Sequence, residues 1–197
     1  MRKSRKGIAI AVTALVAVAA MVGAASALAG VWKHEGKELK EKITLPMTGG
    51  EVIEIESGAS VLLCNSSATM TTEGGSTASI TAFEVEKSGC IGLAGKFEGC
   101  TVSAATPKTL PYSVTVGSST LTAKGFGVTY TMNAGCSITS VETSYPELTL
   151  TPEEPSAIRL FHFGQTATGK VNGSSASITD GGAWQLPEAE SGTYGIG

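Results

Sequence analysis

His162 is the first residue equipped to do chemistry. It stands in Phe161-His162-Phe163, and an imidazole in an apolar cleft becomes a general base when a neighbouring strand brings a carboxylate such as Glu142 or Glu147. The same triplet also reads as one polar side chain on a strand with alternating faces, and that simpler reading is preferred. His34, the other of the two histidines, falls in a charged stretch that keeps it solvated. Glu54 with Glu56, and Glu84 with Glu86, stand two apart, so each pair shares a face if its segment is a strand. Paired carboxylates hydrolyse glycosidic bonds. No aromatic sugar platform lies near either pair, which favours solvated faces over a hydrolytic site.

The other constellations fail on residue type. Asp180 is the only Asp, so Asp-rich calcium loops and Ser-His-Asp arrangements have little to draw on. No Gly-x-Ser-x-Gly elbow occurs. The one Gly-Lys pair, Gly95-Lys96, has Cys90 where a phosphate loop needs its first glycine and Phe97 where it needs a hydroxyl. Histidines at helical metal-binding spacing are absent. The reading is therefore no catalytic residue, no cofactor and no metal.

Four cysteines remain: Cys64, Cys90, Cys100 and Cys136. An even count behind an export signal implies two disulfides. A zinc site is disfavoured because no C-x-x-C occurs and neither His is near a Cys. Three connectivities are open. Cys90–Cys100 with Cys64–Cys136 is favoured, because the Gly-rich segment between Cys90 and Cys100 turns back easily. Such loops are worth about 3 and about 4.4 kcal/mol by chain entropy.

The export signal is the leader itself. Met-Arg-Lys-Ser-Arg-Lys is followed by a small-apolar run from Gly7 to Ala25 and by overlapping Ala-x-Ala patterns ending at Ala27 and Ala29. This is a signal peptide cleaved after Ala29. The rival, a membrane anchor, needs about 20 strongly apolar residues, whereas this run is mainly Ala and Val with few leucines. Loss of Arg2, Lys3, Arg5 and Lys6 takes the net charge from −3 to −7. Nucleic-acid binding is thereby disfavoured, and stable membrane insertion after cleavage is not expected.

The elements that must position these residues are strands. Residues 30–42 form a charged arm, mobile or docked at an edge, with Trp32 tucked down. Pro46 confines the strand beginning at Ile43 to an edge. Gly49-Gly50, Ser57-Gly58, Glu73-Gly74-Gly75-Ser76, Gly117-Ser118-Ser119, Asn133-Ala134-Gly135 and Asn172-Gly173 read as turns. Apolar residues alternate with Ser and Thr at Tyr112–Val116, Val128–Met132 and Leu148–Thr151. Ile80 and Ala82 share one face while Phe83 and Val85 share the other, so a bulge is expected near Ala82-Phe83. Pro152-Glu153-Glu154-Pro155 reads as an exposed acidic loop. Ile158–Phe163 is a bulky strand, and two late strands flank Asn172-Gly173. The fold class is all-β, a two-sheet antiparallel β-sandwich with a barrel-like form as the alternative, one domain over 43–197 behind a helical leader.

The leader followed by Gly30-Val31-Trp32, the stretch Phe97-Glu98-Gly99-Cys100-Thr101-Val102 and the end Gly192-Thr193-Tyr194-Gly195-Ile196 resemble a loose group of secreted proteins of high-GC soil actinobacteria whose function is not known. The resemblance implies an exported bacterial domain and supplies no site residue. The expectation is a secreted, non-catalytic protein of the envelope or extracellular space that binds a surface or polymer of unknown identity. Two alternatives stand beside it: an extracellular hydrolase with its site near His162, and a membrane-inserting β-toxin, since Ser/Thr alternation also suits a pore wall.

Overall fold

In the computed structural model the described residues are 29–154, 157–186 and 193–197, with backbone alone at 153, 154, 157–159, 161 and 163. The leader before Ala29, Pro155 and the tail segment 187–192 lie outside that description. Among the described residues the chain is strands and one short 3-10 turn, as expected of an all-β fold.

Five long strands make one layer. In spatial order they are β5 (Thr77–Ala94), β4 (Ser60–Thr72), β3 (Ile43–Ile55), β13 (Ser174–Gln185) and β12 (Ala157–Val171), all antiparallel. Two three-stranded arcs make the other layer. One runs β7 (Tyr112–Val116), β8 (Leu121–Phe126), β11 (Tyr145–Glu154); the other runs β6 (Val102–Pro107), β9 (Val128–Met132), β10 (Ser140–Glu142). Both arcs join β12, since Phe161 and Leu160 pair with β11 and Lys170 and Val171 pair with β10. Both also return to β5: β7 pairs with Thr77–Ile80, and β6 contacts β5 directly. The result is a curled sheet closed through β11 and β12, with sandwich-like opposed walls.

The alternation that builds these walls is the simplest sheet physics. Inward residues of β7 are Tyr112, Val114 and Val116, all buried, while Ser113 and Thr115 face water. β9 repeats this with Val128, Tyr130 and Met132. The expected bulge in β5 is present: Thr69 faces Ala82 and Met70 faces Ile80, leaving Thr81 as the extra residue. That single insertion lets Ile80 and Phe83 both point into the core.

The charged arm is ordered into β1 (Trp32–His34) and β2 (Lys37–Glu38), and β1 pairs with β14 (Tyr194–Ile196). Trp32 is fully buried, as expected, and its backbone N–H donates to the Gly75 carbonyl at 3.0 Å. Pairing starts at the very beginning of the described chain, with Ala29 bridged to Gly117 and the Gly30 N–H on the Val116 carbonyl.

Four expectations are corrected. Gly49-Gly50 is not a turn but the middle of β3, opposite Trp184 and Ala183. A Cβ at Gly49 would stand 1.7 Å from the Ala183 carbonyl oxygen, so glycine is there for close approach of β13 and not for chain reversal. Pro46 does not place β3 at an edge, because β3 lies between β4 and β13. Among the described residues the ladder with β13 begins at Thr48, two residues after Pro46. Pro152, Glu153 and Glu154 continue strand β11 and do not form a loop.

The fourth correction is the disulfide pairing, which is Cys64–Cys90 and Cys100–Cys136. Cys64 and Cys90 are direct partners in the β4–β5 register, 4.0 Å apart at Cα. β5 does not end at Cys90 but continues along β4 to Ala94. That carries Cys100 past the sheet, where Cys136 lies 5.8 Å away at Cα. Chain entropy does not choose between the two schemes, since each sums to about 7 kcal/mol; strand register does. Non-reducing peptide mapping should return linked Cys64–Cys90 and Cys100–Cys136 peptides. Replacing both Cys64 and Cys90 by Ala should cost about 2–4 kcal/mol in a denaturant melt, and Gly49→Ala should cost about 1–3 kcal/mol through overpacking.

Candidate functional site

The residues weighed from sequence scatter. Glu142 bonds Lys108 at 2.7 Å and sits 3.9 Å from Lys170, and those cations hold its carboxyl below its ordinary range, the Lys108 hydrogen bond foremost. Glu147 lies 3.8 Å from Lys124. Both are thus engaged by lysines at the surface. His34 stacks on Tyr194 with ring centroids 4.6 Å apart. Glu56 leaves the strand for the β3–β4 turn at φ +56° and pairs with Lys96, so it does not share a wall with Glu54. Glu84 and Glu86 do share the outer wall, both exposed on β5.

His162 is inside. It is 1% exposed, neither ring nitrogen has a hydrogen-bond partner, and its ring stacks on Trp184 at 5.1 Å. Burial holds its pKa down to about 4, so the imidazole is neutral in the folded chain near pH 7. It overhangs Gly182, where a Cβ would lie 2.6 Å from its Nε2. Gly182 in turn pairs with Glu51, Glu51 with Cys64, and Cys64 with Cys90. One transverse row of the long layer therefore reads Cys90, Cys64, Glu51, Gly182, His162 on the inner face.

Glu51 is fully buried and accepts a hydrogen bond from the Tyr130 hydroxyl across the core. Asp180, two residues before Gly182, is 2% exposed and lies beside the Tyr145 hydroxyl. These two carboxyls were not singled out as a site from sequence. Glu51 continues the inward alternation of Ile53 and Ile55, a signal hidden once Gly49-Gly50 is taken as a turn. Asp180 follows Ile178 at the same spacing.

The outer face of the same strands carries an open groove of about 700 Å³. Outward residues fall in two rows by register: Gln185, Thr48, Ser67, Glu84, then Ala183, Gly50, Asn65, Glu86. Small residues at Gly50 and Ala183 leave the floor low, and the taller polar side chains make the walls. Beside it Lys87, Ser88 and Gly89 bulge out of register, because Cys64 pairs with Cys90 while the next residue, Asn65, pairs with Glu86. Ser88 Oγ donates to Glu86 Oε1 at 3.0 Å. Below the floor Trp184 Nε1 donates to Ser66 Oγ at 2.8 Å, crossing over Gly49. One row further along, Val52, Leu63 and Ile91 face outward, and Ile91 is 48% exposed.

Fold and surface together define a class: a closed, antiparallel, disulfide-stapled β domain with a sealed polar core and an open polar groove on its long wall. No protein-family model, curated protein or solved structure matches the chain. Among the described residues no group of His, Cys, Asp and Glu is arranged to hold a metal ion, and no helix is long and apolar enough to cross a membrane.

His162 supplies the prediction from this geometry. Its folded pKa of about 4 lies below the unfolded value of 6.5, so the unfolded chain binds the extra proton as pH falls through that interval. Stability contributed by the neutral ring is present above the unfolded value and lost on acidification. His162→Phe keeps a ring against Trp184 and removes that loss. Urea melts should show the variant losing less stability than wild type between about pH 6.5 and about pH 4, by about 3 kcal/mol.

Proposed function

We propose that the chain is an exported, non-catalytic binding protein of the envelope or extracellular space, and that its groove takes a neutral, polyhydroxylated polymer. The observation that carries this reading is the groove's lining. Thr48, Asn65, Ser67 and Gln185 supply hydroxyls and amides, Glu84 and Glu86 supply acceptors, and Gly50 and Ala183 keep the floor clear. Such a set both donates to and accepts from sugar hydroxyls. β3, β4 and β13 have ladder partners on both sides there, so a peptide gains little by strand addition. The acidic wall disfavours anionic polymers. The apolar ledge of Val52, Leu63 and Ile91 offers contact to the C–H faces of sugar rings.

Export is supported by the two disulfides, which suit an oxidising compartment. A hydrolase built on His162 would need an imidazole that substrate can reach, and His162 is sealed and bonded to neither Glu142 nor Glu147. Glu84 and Glu86 stand on one wall and do not flank a scissile bond from opposite sides. A pore-former presents apolar residues outward; here they point inward and Ser and Thr point outward.

The test is retention of the folded full chain on insoluble chitin, cellulose and purified peptidoglycan. At least one should hold the wild type. Ala183→Trp, which raises the floor, and a Glu84→Ala/Gln185→Ala pair, which touches only the rim, should each weaken binding about tenfold, equivalent to about 1.4 kcal/mol. Absence of retention on all three, or equal retention of the rim variant, overturns the reading. Release of reducing ends from the retained polymer would replace it with the hydrolase.

A further inference from the structure

The polar core needs an account that the groove does not provide. Glu51 on β3 and Asp180 on β13 are 0% and 2% exposed. Their surroundings can be taken element by element. From β9 the Tyr130 hydroxyl donates to Glu51 Oε2. From β11 Tyr145 stands beside Asp180. From β7 Tyr112 spends its hydroxyl proton on the Gly127 carbonyl at 2.7 Å. From β12 His162 leans over Gly182, and from β4 the neighbour is Cys64, fixed in its disulfide. Among the described residues no lysine bonds either acid; the lysine partners are Glu56, Glu73, Glu142 and Glu147.

Two carboxylates without a countercharge in an apolar interior are strongly disfavoured as ions. The hydrogen-bond inventory points the same way. Glu51 Oε1, Asp180 Oδ1, the Tyr145 hydroxyl and both nitrogens of His162 are buried without partners. Ionised acids would add acceptors to a space already rich in them. Neutral carboxyls bring O–H donors, and a neutral imidazole accepts at one nitrogen.

We propose that the closed sheet has a proton-holding core, in which the folded chain keeps Glu51 and Asp180 as neutral acids well above the ordinary carboxylate range and their ionisation as pH rises further loosens the two wall strands that carry them. Burial raises both carboxyls above the ordinary range, and the charge of Asp180 raises Glu51 further. The folded state then binds more protons than the unfolded state between the ordinary carboxylate range and the raised values. Stability from this pair is fully present at the acid end and declines as pH rises through the folded values. His162 has the opposite slope between about 4 and its unfolded value of 6.5, but one proton there stands against two, so stability from these groups still falls as pH rises from the ordinary carboxylate range through the raised values.

Asp180 is the only Asp in the chain, so ¹³C-aspartate labelling of the full chain reports it alone. At about pH 6 the carboxyl carbon of the folded protein should show the protonated shift. It should move to the ionised shift with a midpoint well above the ordinary value of about 3.9, with thermal midpoints falling over the same interval. Glu51→Gln should leave that midpoint raised, because burial of Asp180 itself is its cause, and Glu51→Gln with Asp180→Asn should flatten the decline over the same interval. An ionised signal at about pH 6, or an undiminished decline over that interval in the double variant, overturns the proposal. The labelled wild type decides the matter alone if the variants do not fold.

Discussion

Strand β12 holds the molecule closed. It is paired to β13 along most of its length, to β11 near its start and to β10 at its end. A sheet with both arcs anchored on one strand cannot open without breaking a ladder, so its two layers must share one interior. Every inward side chain then has to fit against the opposite wall. The aromatic chain shows the fit: Phe83 meets Phe126 edge-on at 5.2 Å, Phe126 meets Trp184 at 6.0 Å, and Trp184 stacks on His162. The register of β12 with β13 thereby sets where the polar row of the long layer meets the tyrosines of the arcs.

Much of this wall structure is legible from residue order. Tyr112–Val116, the Glu73–Ser76 turn, the Asn172-Gly173 hairpin and the shift in β5 all follow from period-two burial and turn chemistry. These features depend on neighbours within a few residues. The misreadings share the opposite property. Gly49 is small because Ala183 presses on it, and Cys64 meets Cys90 because β5 runs on past Gly89. Pro46 lies inside the sheet, two residues before the described ladder with β13 begins at Thr48. Each depends on which distant strand lies alongside, and composition is silent about that. The polar core was hidden for the same reason: Glu51 and Asp180 look like ordinary surface acids until β3 and β13 are set side by side and the arcs laid over them.

The long layer keeps its two faces for different purposes. On β3 the outward Gly50 floors the groove and the next residue, the inward Glu51, belongs to the core. On β13 Ala183 and Trp184 divide in the same way. Because alternation forces this, the groove cannot deepen without moving the core row beneath it. Trp184 lies over Gly49 to reach Ser66, so the floor rests on an indole already fixed by a hydrogen bond and three aromatic contacts. A floor supported like that is rigid before any ligand arrives, which suits recognition by side chains of fixed spacing.

A sealed core with this many unpartnered polar atoms works against folding, and each such group costs about 1–3 kcal/mol. The position of the first disulfide bears on how the chain tolerates that. Cys64–Cys90 lies in the same transverse row as Glu51, Gly182 and His162, with Cys64 the direct ladder neighbour of Glu51. Closing a loop of 26 residues there removes about 3.5 kcal/mol of unfolded-state entropy by the chain model. That is comparable to the burden of one or two of the orphaned groups. The bond also pins β4 against β5 where β5 bulges at Lys87–Gly89 and the ladder is interrupted. Covalent restraint thus sits beside the row that hydrogen bonding satisfies least, and strand register, not loop flexibility, decides which cysteines can provide it.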